Sequence, residues 1–387
     1  MPDDIIWRAD QHTLAKHHIL KRYLEAWAPI LLQRGLNHGV LYIDGFAGPG
    51  EYIGKEPGSP IIAMDSLVNH VLRSKFRGRI VFYFIEQMEE RAKHLEGLIA
   101  KKYPTPPSGV SYNVVKGEFN QELRKLLDEA KKRDKNLLPC FCFVDPFGWK
   151  ELDYEVLARI MEHPKAELFI TFMAGFLNRF RESEPHEESL KRLFSPDQLT
   201  KINSEALEAE ERQKLILRVF VENLKEHINQ FKKEKIYDFS FSTRNDSNNL
   251  EYYLVHLTKS CKGKEVMKEA MFNLKKDGKY TFSDFDFDPQ QTTLITYFEE
   301  DLWVDEAASD VFAFFKNLFG RKYADFSINK LPVNIVKDRI TCDTKWIYRA
   351  KILANLEKKG KISYLSSHNP RRRTGQFPEP GYIVFHF

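Results

Sequence analysis

Two stretches decide the fold of this chain: Gly39-Val40-Leu41-Tyr42-Ile43-Asp44-Gly45-Phe46-Ala47-Gly48-Pro49-Gly50 and, about a hundred residues later, Phe141-Cys142-Phe143-Val144-Asp145-Pro146-Phe147-Gly148. Each is a short apolar run that ends in an acid and continues into small residues, proline or an aromatic residue. A run of this kind is typical of a buried strand in a parallel sheet. Because the carboxyl ends of parallel strands meet at one edge of a sheet, we expect the two loops to form one site.

Strand-like and helix-like segments alternate around these two stretches. The segment His12–Arg34 carries apolar residues at helical spacing. Five strands are predicted, at Val40–Ile43, Arg79–Ile85, Ser111–Val115, Cys140–Val144 and Glu167–Phe172. Two further β-rich runs, Tyr237–Thr243 and Glu251–Lys259, flank an Asn-rich turn and predict an antiparallel hairpin. We therefore predict an α/β fold with a Rossmann-like class I methyltransferase sheet, parallel with an antiparallel final hairpin.

The charge of the 387-residue chain is unevenly distributed. The net charge is +4, yet Arg321–Phe387 holds 14 Lys and Arg against 5 Asp and Glu, a net charge of +9 that leaves −5 for the remainder. An acidic stretch, Ser283–Asp310, separates the two parts. A basic tail indicates an anionic partner, although such charges also serve simply to keep a small domain soluble.

The tail has a pattern of its own, with three helix-like segments followed by two strand-like segments around an Arg-rich turn. The helices are predicted at Asp310–Phe319, Ile328–Ile340 and Thr344–Lys358, and the strands at Lys361–Leu365 and Tyr382–Phe387. This order predicts a winged helix, a module that binds nucleic acid or docks proteins. The expected organisation is a methyltransferase-like domain at 1–280 with a helical insertion at 180–235, an acidic linker at 281–309 and a winged-helix domain at 310–387.

Several classes of protein do not fit the sequence. No apolar run exceeds the length of a strand, so we expect no membrane-spanning segment. The N-terminal residues Met1–Asp4 are acidic and lack the shape of a signal peptide, which favours the cytoplasm. The four cysteines form no Cys-x-x-Cys pair, and the cluster Lys16-His17-His18 lacks a third ligand, so we expect no metal site.

The first loop has the composition of a cofactor site. Its glycines allow the backbone to approach a ligand closely, but the spacing matches neither the dinucleotide fingerprint nor a phosphate-binding loop. Asp44 and Glu86 each end a strand; Glu86 is placed to accept both hydroxyls of a ribose, and Glu118 to face an adenine amine. The alternative for each acid is helix capping or loop solvation. The candidate cofactor-binding residues are Asp44, Gly45, Phe46, Ala47, Gly48, Gly50, Glu86 and Glu118.

The second loop indicates transfer of a methyl group onto an amine. A hydrogen-bond acceptor beside a rigid proline turn orients the lone pair of a target amine. It accelerates the reaction chiefly by positioning that amine. Phe147 or Trp149 would stack on a base, unless these rings only fill the core above the strand. The candidate catalytic residues are Asp145, Pro146, Phe147 and Gly148.

Basic residues of the tail form a candidate surface for phosphate contacts. The first three are predicted on one helix, opposite an apolar face, and the last three lie in the Arg-rich turn. The candidate nucleic-acid-binding residues are Lys345, Arg349, Lys351, Arg371, Arg372 and Arg373.

Taken together, these motifs resemble those of the three-Cys-motif partner proteins. The resemblance rests on Asp44–Gly50 with Gly58-Ser59-Pro60, Lys16-His17-His18-Ile19-Leu20, Asp145–Gly148, Tyr252–Val255, Gly263–Met271, the segment Leu356–Ile362 and the Arg-rich turn. It covers nearly the whole chain except the charged region at 180–235. The family implies a methyltransferase domain with a winged helix, S-adenosylmethionine as cofactor, and a partner with a three-cysteine motif that is similar to radical S-adenosylmethionine iron–sulfur proteins.

The tetrad Asp145–Gly148 is also similar to that of tRNA guanine dimethyltransferases, which methylate an exocyclic amine. It departs in its last two residues from the Asp-Pro-Pro-Tyr of adenine and cytosine amino-methyltransferases, so the target base stays open. The sequence thus predicts an S-adenosylmethionine-dependent methyltransferase acting on DNA or RNA. The alternative is a non-catalytic adaptor that binds nucleic acid and the iron–sulfur partner.

Overall fold

The computed structural model describes the chain in ten segments, and these are residues 5–33, 37–180, 187–204, 206–245, 249–272, 274, 281–283, 302–322, 329–366 and 373–387. The chain divides into two compact units. The first consists of Met1–Ala270 and Thr281–Phe287, and the second of Met271–Tyr280 and Asp288–Phe387. Most of the predicted acidic linker, 284–301, lies outside the described residues, so the predicted domain boundaries stay a prediction.

An eight-stranded sheet forms the centre of the first unit. Its strands are β1 Gly39–Asp44, β2 Arg79–Glu86, β3 Val110–Lys116, β4 Cys140–Val144, β5 Glu167–Phe172, β6 Tyr237–Arg244, β7 Leu250–Thr258 and β8 Thr281–Ser283. They are ordered β3-β2-β1-β4-β5-β7-β6-β8. Strands β1 to β5 are parallel, whereas β7 is antiparallel to both β5 and β6. The predicted parallel sheet with an antiparallel final hairpin is confirmed; the turn residues 246–248 lie outside the described residues.

Helices cover both faces of this sheet, as a buried parallel sheet requires. They are α1 Gln11–Leu32, α2 Ser59–Val68, α3 Glu89–Lys102, α4 Phe119–Lys132, α5 Tyr154–Glu162, α6 Ala174–Phe180, α7 Glu187–Leu193, α8 Pro196–Ile202, α9 Ala209–Phe231 and α10 Cys261–Phe272. Helix α1 begins after Asp10, whose carboxylate accepts a hydrogen bond from the Thr13 backbone N–H at 2.6 Å. It packs on the sheet through Tyr23, whose ring centroid lies 4.9 Å from that of Phe141.

The predicted insertion at 180–235 is helical where it is described. Helix α9 packs against the core of the first unit, because Phe220 stacks on Phe172 of β5 with the ring centroids 4.1 Å apart. Phe220 also contacts Tyr154 of α5 at a centroid distance of 5.5 Å. Part of this charged region therefore belongs to the hydrophobic core.

The second unit combines three helices with a small antiparallel sheet. Its elements are α11 Leu302–Lys322, β9 Lys330–Pro332, α12 Val333–Asp343, α13 Ala350–Lys358, β10 Ile362–Leu365 and β11 Tyr382–Phe385. The sheet order is β10-β11-β9, and both pairs are antiparallel. Phe315 of α11 packs on Phe385 of β11 with the ring centroids 4.5 Å apart.

Three boundaries in this unit differ from the sequence prediction. Helix α11 begins at Leu302 rather than at Asp310. Strand β9 lies within a segment predicted as helix, because Pro332 disfavours helical geometry in the residue before it. The helix predicted from Thr344 begins only at Ala350. The hydroxyl groups of Thr341 and Thr344 accept hydrogen bonds from the backbone N–H groups of Tyr348 and Trp346, and this turn takes the place of the first helical turns.

The described residues hold neither a membrane span nor a metal-binding cluster. No helix in the described part of the chain is long and apolar enough to cross a membrane. The same residues contain no group of three or more His, Cys, Asp or Glu side chains that could hold a metal ion.

Candidate functional site

A cavity of about 320 Å³ lies where the loops after β1 and β4 meet helix α1. The loops start side by side because β1 and β4 are neighbours in the sheet, with Asp44 opposite Phe143. Seven of the predicted site residues line the cavity: Phe46, Ala47, Gly48, Gly50, Asp145, Pro146 and Phe147. The two motifs that decide the fold therefore contribute to one concave site.

The first loop is shaped by close packing and by unusual backbone angles. A Cβ atom on Gly45 would lie 2.5 Å from the ring of Phe119, so no larger residue fits there without displacing that ring. Gly48 has a φ angle of +63°, which residues with a side chain rarely adopt. The Gly-rich composition thus reflects the geometry of this loop.

Asp44 lies buried beneath the loop rather than in the lining of the cavity. Its carboxylate accepts hydrogen bonds from the Tyr42 hydroxyl at 3.2 Å and from the Phe46 backbone N–H at 3.4 Å. Burial raises the pKa of Asp44 to about 7, and a hydrogen bond from the Ser59 side chain opposes the shift. Asp44 therefore changes its charge near neutral pH.

Glu86 holds the first loop in place from the neighbouring strand. Its carboxylate accepts hydrogen bonds from the Gly48 backbone N–H at 2.9 Å and from the Met88 backbone N–H at 2.8 Å. The side chain is 6% exposed and lies outside the cavity lining. The acid at the end of β2 is thus adjacent to the site and braces its backbone.

Glu118 and Gly148, two further predicted site residues, also lie outside the cavity lining. Glu118 is exposed at the start of α4, where its carboxylate accepts a hydrogen bond from Gln121 Nε2 at 2.6 Å. Glu118 occupies the N-cap position of α4 without a side-chain cap hydrogen bond, so its placement matches the loop-solvating alternative. Gly148 is extended, with a φ angle of −169°, and does not line the cavity.

An ion pair joins helix α1 to the second loop. The Lys16 ammonium lies 2.5 Å from Asp145 Oδ2, and the two side chains are 8% and 22% exposed. Lys16 and its neighbour His17 both line the cavity, as the sequence allowed if α1 covers the first loop. Burial, reinforced by the Lys16 charge, lowers the pKa of His17 to about 3, so its imidazole is neutral.

The two aromatic candidates of the second loop have different roles. The Phe147 side chain is 46% exposed and lines the cavity. Trp149 is 2% exposed and packs against Phe176 with the ring centroids 5.2 Å apart. Trp149 therefore fills the core, whereas Phe147 is available to a ligand.

The cavity also contains residues that the sequence did not single out as site residues. The half-buried Trp7 contacts Phe147 with the ring centroids 6.3 Å apart. Phe176 and Arg179 come from the short helix after β5, and Tyr252 comes from β7. None of these lies in a motif with a chemical signature, so only the folded chain reveals that they converge.

In the second unit the candidate basic residues are distributed over several elements. Lys345 precedes α13 and forms ion pairs with Glu306 at 2.8 Å and Asp310 at 3.3 Å. Arg349 also precedes α13, whereas Lys351 lies exposed on it. The remaining candidates are Arg373, which is exposed, and Arg371 and Arg372, which lie outside the described residues. The prediction that Lys345, Arg349 and Lys351 share one helix is wrong.

Comparisons with known proteins find similarity among solved structures. Neither a protein-family model nor a curated protein sequence matches the chain. The complex of Trm1 from Pyrococcus horikoshii with S-adenosyl-L-methionine is 11% identical at a TM-score of 0.39, over 69% of this chain and 60% of that one. The chain thus spans less than two thirds of the length of the Pyrococcus protein.

Two further structures are similar at the same level. LPL1258 from Legionella pneumophila is 12% identical at a TM-score of 0.37, over 67% of this chain and 91% of that one. The O-methyltransferase from Bacillus cereus in complex with SAH is 13% identical at a TM-score of 0.30, over 62% of this chain and 80% of that one. We base no conclusion about the site on likenesses of this size.

Proposed function

We propose that the chain is an S-adenosylmethionine-dependent methyltransferase that acts on nucleic acid at an exocyclic base amine. The observation that carries this proposal is the shared cavity: the Gly-rich loop after β1 and the Asp-Pro-Phe loop after β4 line the same concave space. Ligands of open α/β sheets bind at this position, beyond the carboxyl ends of the strands. The first loop would hold the methyl donor and the second would present the amine.

The residues present fit such a cofactor. The cavity volume of about 320 Å³ lies within the range of roughly 300–1,000 Å³ for small-molecule sites. Glu86 lies outside the lining, and its hydrogen bonds from the Gly48 and Met88 backbone N–H groups would hold the first loop in the shape that binds the cofactor. Gly48 and Gly50 line the cavity and would let the backbone approach the ligand. When bound, the cofactor supplies an electrophilic methyl group on a sulfonium.

The second loop would orient the nucleophile. Asp145 accepts hydrogen bonds, and the ion pair with Lys16 fixes its carboxylate while leaving other lone pairs for an amine N–H. The buried Pro146 restricts the turn that follows. Holding the amine in one orientation lowers the entropic part of the barrier.

The second unit would hold the polymer. We propose that it is a winged helix, since its three helices and its last two strands follow the predicted order, while β9 adds an unpredicted third strand to the sheet. Lys351 and Arg373 are exposed there, whereas the ion pairs of Lys345 with Glu306 and Asp310 compete with phosphate. The proposed protein partner is an iron–sulfur protein with a three-cysteine motif, on the strength of the motif resemblance alone.

Isothermal titration of the full chain with S-adenosylmethionine tests the cofactor. We expect binding by the wild type and binding weaker by about tenfold or more in Gly48→Ala, because the φ angle of +63° costs an alanine roughly 1–2 kcal/mol and favours a rearranged loop. Gly97→Ala is the matched control, since a Cβ there meets nothing within 4 Å. A wild type that does not bind, where a known methyltransferase binds under the same conditions, would contradict the proposal.

A further inference from the structure

Two aromatic rings, one arginine and the carboxylate of Asp10 form the exposed part of the cavity lining. Phe147 is 46% exposed and Phe176 is 37% exposed. Arg179, one helical turn beyond Phe176, is exposed as well, and its guanidinium lies 5.6 Å from the centroid of the Phe176 ring. Solvent-exposed phenyl rings beside a concave site provide flat apolar surface for a planar ligand.

Arg179 is also available to an anion. The four carboxylates of the lining already have partners: Asp10 accepts from the Thr13 backbone N–H, Glu51 pairs with His94, Asp145 with Lys16 and Glu251 with His12. Among the residues that the structure describes, none forms an ion pair with Arg179. The lining contains four carboxylates against two permanent cations, Lys16 and Arg179. Lys16 is held by Asp145, so Arg179 is the cation beside the exposed rings that remains for an anion.

From this arrangement we infer that Phe176 and Arg179 form a subsite for an unpaired nucleotide of single-stranded nucleic acid. The Phe176 ring stacks on one base, and the Arg179 guanidinium contacts an adjacent phosphate. Stacking rings interleaved with cations are the general means of binding single strands. The inference rests on the proposed function, which it deepens by naming the form of the substrate.

The concave site also favours an unpaired base over a duplex. The base amines of a duplex are enclosed by stacking and pairing, so an enzyme that acts on one needs single-stranded substrate or must extrude the base. Asp145 is 22% exposed within the cavity, so its acceptor is reached by a single base rather than by a duplex edge. Phe147 and Phe176 are exposed rings of the same lining, and a base that enters the cavity can contact them.

The test uses the full chain and a short single-stranded oligonucleotide that carries 2-aminopurine, whose emission falls when it stacks on an aromatic ring. We expect quenching by the wild type and binding about 5- to 100-fold weaker in Phe176→Ala, the range expected for the loss of one stacked base. Arg179→Gln should weaken binding and lower the slope of log affinity against log salt by about 1. The same sequence as a duplex should give little quenching.

Matched variants separate the subsite from general effects. Phe231 is 46% exposed at the end of α9 and outside the lining, and Arg133 is an exposed arginine on the surface after α4. Phe231→Ala and Arg133→Gln should bind the oligonucleotide as the wild type does. Wild-type affinity in both Phe176→Ala and Arg179→Gln, or equal quenching by the duplex, overturns the subsite. Loss of S-adenosylmethionine binding in the wild type instead overturns the proposed function, because the stacking measurement does not need the cofactor.

Discussion

Asp145→Ala is expected to reduce methyl transfer by about 10²- to 10⁴-fold, the range for removing a group that positions or relays a proton. In the proposed function its carboxylate is the acceptor that orients the amine. Binding of S-adenosylmethionine should stay within about threefold of the wild type, because Asp145 belongs to the second loop and pairs with Lys16 of α1. The measurement is transfer of labelled methyl groups to nucleic acid from cells that lack the gene.

The ion pair with Lys16 requires a second variant. Removing Asp145 leaves a nearly buried ammonium without its partner, which costs roughly 3–5 kcal/mol in buried pairs. Asp145→Asn retains the shape and a carbonyl acceptor for the Lys16 ammonium but not the counter-charge, so it should be destabilised less than the alanine variant and retain more activity. Asp128→Ala is a suitable control, because it removes an exposed carboxylate that pairs with Arg159 at 2.6 Å.

The same variants decide between an enzyme and an adaptor. An adaptor with a methyltransferase-like body would keep all of its cellular activity in Asp145→Ala, and nucleosides of cells with and without the gene would show the same methylation by mass spectrometry. An enzyme would lose the modified nucleoside in the variant while still binding nucleic acid. Unchanged methylation in Asp145→Ala would therefore refute the catalytic role.

Strands with an apolar run and a terminal acid were predictable because their burial on both faces leaves a continuous signal in the sequence. The hairpin β6–β7 was predictable for a similar reason, since turn residues separate two β-rich runs. Strand β9 and the start of α13 were not, because each depends on a single side chain or turn: Pro332 for the first, and the hydroxyls of Thr341 and Thr344 for the second. Such local hydrogen bonds leave no periodic pattern.

The site was predictable only where its residues lie directly after strands. Asp145 and the first loop follow β4 and β1, so the topology alone brings them together. Lys16 required knowledge of which way α1 packs, and Phe176 and Arg179 required the position of a short helix that has no distinguishing motif. Glu118 also follows a strand, yet its side chain turns towards Gln121, which the register of the strand does not reveal.

Asp44→Asn is expected to raise the free energy of unfolding at alkaline pH. The increase should be larger there than at acid pH by on the order of 4 kcal/mol. Burial raises the pKa of Asp44 from 3.8 to about 7 in the folded chain. Below about pH 4 the carboxyl is protonated in both the folded and the unfolded chain, so its ionisation contributes nothing to the free energy of unfolding. As the pH rises towards 7 the unfolded chain ionises first, so the folded state is progressively destabilised, and the cost is complete above about pH 7.

Asparagine resembles the protonated carboxyl and does not ionise, so it removes this cost. His17 acts in the opposite direction: burial lowers its pKa from 6.5 to about 3, so stability rises with pH between these values. The two effects oppose each other in the wild type. We therefore expect the stability of Asp44→Asn to rise more steeply with pH over this interval than that of the wild type.

Urea unfolding of both proteins from about pH 4 to about pH 8 gives the required free energies. The difference between the two profiles isolates Asp44, because His17 is present in both. If the free energies of unfolding of the wild type and Asp44→Asn change with pH in parallel, Asp44 ionises normally and is not desolvated beneath the loop. Since the loop above Asp44 is the proposed cofactor site, a confirmed shift would also predict that a ligand cation binds more tightly above pH 7, when the buried carboxylate beneath the cavity is charged.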